Sequence, residues 1–149
     1  MIIDEARAGE AGILTQLALV SKRHWGYDDA FMERCRHELT VSERDLETRQ
    51  VFVARDAERV LGFYLLIPLE GSSVELDMLF VEPQSIGEGV GGALMRHAMN
   101  VARGDGALTM RLTADPFAVP FYEHCGAVLV ASSFSASTGR TLPVYEVSL

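Results

Sequence analysis

The most chemically suggestive segment is Gly87-Glu88-Gly89-Val90-Gly91-Gly92, four glycines in six residues between an apolar, strand-like stretch and a segment of helical periodicity. Such a loop exposes backbone N–H groups, and the helix N-terminus behind it adds partial positive charge, so it suits a phosphate. Glycine leaves no Cβ in the path of the ligand. Gly87-x-Gly89-x-x-Gly92 formally matches a dinucleotide fingerprint. That fingerprint, however, wants its glycines directly after a strand in a βαβ unit, and here five residues separate Val81 from Gly87. A P-loop is excluded, because it needs Gly-Lys-Ser/Thr and the only lysine is Lys22.

Two carboxylates, Glu75 and Asp77, precede the loop on the stretch 74–81. Strand alternation would place Glu75, Asp77, Leu79 and Val81 on one face, as a pair of candidate proton acceptors or as solvated surface charge. Trp25, Tyr27 and Asp28 cluster between two helical segments. They offer an aromatic wall and a carboxylate to a cationic ligand, or equally a core and a helix cap. Cys35 and Cys125 are expected as reduced thiols, and Cys125, with no base beside it, as core rather than nucleophile. The four histidines are scattered without ligand spacing, so no metal site is expected.

The elements that must position these residues follow from periodicity and turn signals. Ile2 to Arg7 reads as an edge strand. Ile13, Leu17 and Val20 recur at helical spacing and predict a helix over residues 9–22, and Asp28 caps a second carrying Phe31, Met32, Cys35 and Leu39. Residues 51–54, 60–69 and 74–81 read as strands joined by short turns, an antiparallel meander closed by Glu82-Pro83. Val90, Leu94, Ala98 and Val101 mark a helix ending near Gly104. A strand over 107–113, a short helix over 118–125, and strands over 128–132 and 144–148 complete the chain. The order β-α-α-β-β-β-α-β-α-β-β implies an α/β fold, a mixed and mostly antiparallel sheet with helices on both faces.

The 149 residues suit one domain spanning 1–149. No apolar run approaches a membrane span and the N-terminus lacks a signal-peptide pattern, so no membrane partner and a cytoplasmic location are expected. The net charge of −8 and the lack of any basic stripe argue against nucleic acid and suit a cationic ligand or mere solubility. A homodimer is left open.

Leu79-Phe80-Val81-Glu82-Pro83, followed by Gly87-Glu88-Gly89-Val90-Gly91-Gly92-Ala93-Leu94-Met95, resembles the acyl-CoA motif of the GNAT superfamily of acetyltransferases. Asp115-Pro116-Phe117-Ala118-x-x-Phe121-Tyr122-Glu123-x-Cys125-Gly126 resembles the second signature of that family. The two motifs stand in the family's order, and the element order is also the family's. Three positions depart from the pattern. Ile86 stands where Arg or Gln is usual, Glu88 where Lys is common, and Asp115 where the family has Asn. Gln84 could open a shifted register of the loop.

The resemblance implies an N-acetyltransferase moving the acetyl group of acetyl-CoA directly onto a primary amine, with a small-molecule acceptor expected. A protein N-terminus or lysine, or a CoA-binding module without turnover, stand as alternatives. Leu79, Phe80 and Val81 would hold the pantetheine arm and acetyl carbonyl. Ile86, Gly87, Gly89, Val90, Gly91 and Gly92 would cradle the phosphates, with Asp115, Ala118 and Tyr122 completing the cofactor side. Tyr122 matches the tyrosine that protonates the departing sulfur. Glu75, Asp77 or neither would take the ammonium proton. Trp25, Tyr27 and Asp28 would contact the acceptor.

Overall fold

The computed structural model describes all 149 residues. Seven strands form one sheet in the order β1-β2-β3-β4-β5-β7-β6. They are β1 (Ile2–Glu5), β2 (Gln50–Asp56), β3 (Arg59–Pro68), β4 (Ser73–Val81), β5 (Thr109–Thr113), β6 (Val128–Ser135) and β7 (Arg140–Ser148). Every neighbouring pair is antiparallel except β4 and β5. The helices are α1 (Ala11–Arg23), α2 (Asp29–Cys35), α3 (Glu43–Thr48), α4 (Val90–Gly104) and α5 (Val119–His124).

The mixed sheet with helices on both faces is as expected, and two cores show it. One, under α4 and α5, holds Tyr64, Leu66, Leu94, Met95, Met110 and Leu112. The other, under α1 and α2, holds Leu14, Ala18, Phe31, Met32, Phe63 and Leu65. β3 serves both, which is why its residues 61–66 are buried without interruption and read as a continuous apolar run. Gly62 is needed within it, because a Cβ there would lie 2.7 Å from the Phe80 carbonyl oxygen. Asp28 caps α2 as expected, its carboxylate accepting from the Phe31 amide at 2.9 Å.

One helix escaped the sequence reading. α3 has no buried residue and no apolar stripe to reveal it. It is built from its ends: Ser42 and Asp45 form a reciprocal capping box, and Glu43 accepts from the amides of Gly9 and Ala11 at 2.7 and 3.0 Å.

Two irregularities in β4 shape the site. β4 pairs with β5 only at Ser73, Val74 and Glu75. Beyond that point the parallel strands part, and the β5-facing backbone of residues 76–81 has no ladder partner. The second irregularity is a bulge: Leu65 faces Met78 while Leu66 faces Leu76, so Asp77 is the extra residue. The bulge inverts the alternation. Val74 and Leu76 belong to the α4 core, as do Leu79 and Val81, whereas Met78 and Phe80 belong to the α1 core. Glu75 therefore lies on the face opposite Leu79 and Val81, which corrects the single face expected from an unbroken period of two.

Candidate active site

The parting of β4 from β5 opens a cleft with two chambers. The first, about 580 Å³, is lined by Ser85, Ile86, Gly87, Gly89, Gly91, Gly92, Val81, Phe121 and His124. The second, about 380 Å³, is lined by Lys22, Glu38, Glu75, Asp77, Phe80, Thr113, Asp115 and Leu142 among others. Trp25, Leu79, Ala118 and Tyr122 line both, so they form the junction. A wider groove of about 690 Å³ lies beside α1, lined by Ile13, Leu17, Val20, Val60 and Pro83. Its only ionisable groups are Glu58 and Glu82, and Arg59 engages Glu82. It offers little chemistry.

The glycine chamber is built from backbone. Gly87 and Gly89 have φ of +88° and +85°, a left-handed geometry that glycine adopts without cost, and Gly89 forms the N-cap of α4. The amides of Gly87, Gly89, Val90, Gly91 and Gly92 meet no carbonyl of the preceding turn, while Ile86, Glu88 and Ala93 close the neighbouring bonds. These free donors at the start of a fifteen-residue helix make an anion cradle. Its floor is tight, since a Cβ on Gly91 would lie 3.2 Å from the Phe121 ring. Next to the cradle, Leu79, Val81, Ala118 and Phe121 offer an apolar channel. The chamber fits a phosphate-bearing ligand with a slender apolar arm. Ile86 is exposed at its rim, and Val90 is buried in the core, contributing its amide rather than its side chain.

The second chamber is built from side chains. Asp115 is its keystone, taking a hydrogen bond from Tyr27 Oη at 2.8 Å and one from the Phe117 amide at 2.9 Å. It also pairs with Lys22 at 2.9 Å and Arg140 at 3.6 Å. Burial would raise the Asp115 pKa, but the Lys22 ammonium beside it wins and holds the carboxyl below its usual range. Asp115 lines this chamber and not the glycine chamber. Its oxygens are committed to α1, the α1–α2 break and β7.

Tyr27 is spent in the same network. It stacks on Phe31 at 4.0 Å and accepts from Arg140 at 2.8 Å, lining neither chamber. Asp28 is occupied as a helix cap and also lies outside both. Of the three residues expected to contact the acceptor, the cleft receives Trp25, stacked on Phe117 at 5.3 Å. Glu75 and Asp77 both face the second chamber. Asp77 keeps a surface open to water, yet its carboxyl is pushed up to about 6, first by the protein packed around it and then by the charge of Glu75.

Tyr122 is 8% exposed, and no hydrogen bond tunes its phenol. Burial, with Cys125 and Asp115 adding to it, pushes the pKa well above that of an ordinary phenol, so the hydroxyl stays protonated at the junction. Cys35 and Cys125 are free thiols, and no group of His, Cys, Asp and Glu could hold a metal ion.

The sequence pointed to no role for Ser85 and His124 in the first chamber or for Lys22, Glu38, Thr113 and Leu142 in the second. Phe121 stood in the second family signature without an assigned part in the site. Lys22, Thr113 and Leu142 come from α1, β5 and β7 and meet only in the tertiary fold, which no local signal carries.

A family profile for the acetyltransferase (GNAT) domain matches residues 47–126. The chain belongs to the GNAT acetyltransferases. No curated protein matches it in sequence. Among solved structures it is similar to the PaiA N-acetyltransferase of Thermoplasma acidophilum in complex with coenzyme A, with a TM-score of 0.81 and 16% identity over 99% of this chain and 98% of that one. It is also similar to the IAA acetyltransferase of Bacillus cereus, with a TM-score of 0.74 and 18% identity over 99% of each chain. An aminoglycoside 6'-N-acetyltransferase complexed with coenzyme A matches with a TM-score of 0.72 and 19% identity, over 99% of this chain and 97% of that one.

Proposed function

We propose that this chain transfers the acetyl group of acetyl-CoA directly to the primary amine of a small molecule. The observation that carries the reading is the junction at Tyr122, where a phosphate cradle with an apolar channel meets an acid-lined chamber. In this reading the diphosphate rests on the free amides of residues 87–92, and the pantetheine arm runs along Leu79 and Val81 toward the unpaired backbone of β4. Acetyl-CoA supplies an activated thioester.

The acceptor arrives as an ammonium and must lose a proton before it can attack. The raised pKa of Asp77 suits it to accept that proton through water near neutral pH, with Glu75 beside it attracting the cation. As the nitrogen–carbon bond forms and the carbon–sulfur bond breaks, the leaving thiolate needs a proton. The Tyr122 hydroxyl donates it and is restored from solvent. Unpaired β4 amides would stabilise the oxyanion while charge develops. The small volume of the second chamber and the aminoglycoside acetyltransferase among the structural neighbours favour a small acceptor over a folded protein.

The test is free-thiol release from acetyl-CoA with a panel of diamines, polyamines, aminoglycosides and lysine- or N-terminus-bearing peptides. Turnover with small amines is expected. Turnover confined to peptides would overturn the acceptor class, and acetyl-CoA binding with no thiol release from any amine would overturn the enzymatic reading.

A further inference from the structure

The glycine loop carries one acidic side chain, Glu88, and its expected basic position is filled by Ile86, so the amide cradle has no cation within its own sequence. The charge comes from one turn further along. Arg96 is four residues after Gly92 on α4, on the same stripe of the helix, and its side chain reaches back over the first turn. A Cβ built on Gly92 would lie 3.3 Å from Arg96 Nη1, so the guanidinium rests directly beside Gly92 and a side chain there would displace it by a few tenths of an ångström. No carboxylate is within ion-pair distance of Arg96. Burial raises the pKa of the Cys125 thiol, and the charge of Arg96 opposes that rise without overcoming it. By contrast Arg59, the other arginine near the loop, is engaged by Glu82 and Gln84.

We infer that Arg96 is a phosphate-binding residue of this chain, completing the amide cradle by pairing with the diphosphate of acetyl-CoA beside Gly92. This rests on the acetyl-CoA reading above. Backbone amides supply direction but only partial charge, whereas a planar guanidinium supplies a full charge and two donors to one phosphate. Because Arg96 is exposed, removing its charge leaves the core intact.

The experiment is calorimetric binding of CoA and of dephospho-CoA, which lacks the 3'-phosphate, to the wild-type chain and to Arg96→Gln, with melting curves of both proteins. Wild-type binding of CoA tests the cofactor reading itself, and its absence would remove that reading. Given wild-type binding, Arg96→Gln should weaken CoA and dephospho-CoA alike by about tenfold, the worth of one charge-assisted contact, at an unchanged melting temperature. Equal affinity in the variant would overturn the role of Arg96. A loss seen with CoA but not with dephospho-CoA would assign the guanidinium to the 3'-phosphate and overturn the diphosphate assignment.

Discussion

The two chambers of the cleft are made of different materials. The glycine chamber is backbone: left-handed turns, free amides and a helix start, with its walls supplied by the core. The second chamber is side chain, with Asp115 gathering Lys22, Tyr27, Arg140 and the Phe117 amide from four parts of the chain. Under the proposed function the first takes the acetyl-CoA common to the family, and a local stretch of sequence can encode it. The second takes the acceptor, and only the tertiary fold assembles it. Tyr122 stands where the two meet, so substitutions should separate into three kinds of effect.

The largest belongs to the junction. Tyr122→Phe keeps the ring that packs edge-on against Phe121 at 5.1 Å and removes one hydroxyl. Turnover should fall by ~10²–10⁴-fold, the worth of a positioned acid. Acetyl-CoA affinity and melting temperature should barely move, and steady-state kinetics beside a melting curve check this. Next is the glycine chamber. Gly91→Asp presses a side chain against Phe121 and sets a negative charge among the phosphate donors. It should cost about 10–100-fold in acetyl-CoA affinity by calorimetry and leave the ion network of the other chamber untouched.

Asp115→Asn should do the reverse. It leaves the Lys22 and Arg140 cations without a counter-charge while keeping the shape, so the acceptor KM should rise about tenfold and stability should fall by about 1–3 kcal/mol. The acetyl-CoA affinity should hold. If Asp115→Asn instead weakens acetyl-CoA alone, the carboxylate belongs to the cofactor side and the division between chambers fails.

The smallest effect concerns Asp77. Its folded-state pKa is raised, so the fold favours the neutral acid, and the penalty for ionising it is present above about pH 6 and absent below about pH 4. Asp77→Asn mimics the neutral form. It should raise the melting temperature slightly at pH 8, and the difference should fade as the pH falls to 4. In the wild-type enzyme, kcat/KM should drop as the pH falls through about 6, when the proton acceptor is lost.

What could be read from sequence follows the same division. The glycine loop and the Phe121–Tyr122 signature are contiguous, and Asp28 announced its helix by type and position, so these were visible. The face carrying Glu75 was misplaced because a bulge at Asp77 changes strand parity without changing composition. Asp115 stood in a family motif and was expected beside the cofactor. Lys22 and Arg140, brought to it from α1 and β7, turn it toward the other chamber. Their long-range partnership leaves no periodicity to detect. α3 was missed because its stability comes from caps rather than an apolar stripe.

Under the proposed function, free amides of the glycine loop, not the side-chain network around Asp115, hold the cofactor. Hydrogen–deuterium exchange with and without acetyl-CoA tests it directly, because those amides donate to no carbonyl of their loop. Bound acetyl-CoA should slow exchange at Gly87, Gly89, Val90, Gly91 and Gly92 while leaving residues 22–29 and 140–142 unchanged. Protection confined to the α1–α2 break and the start of β7, with the loop still exchanging freely, would contradict the account.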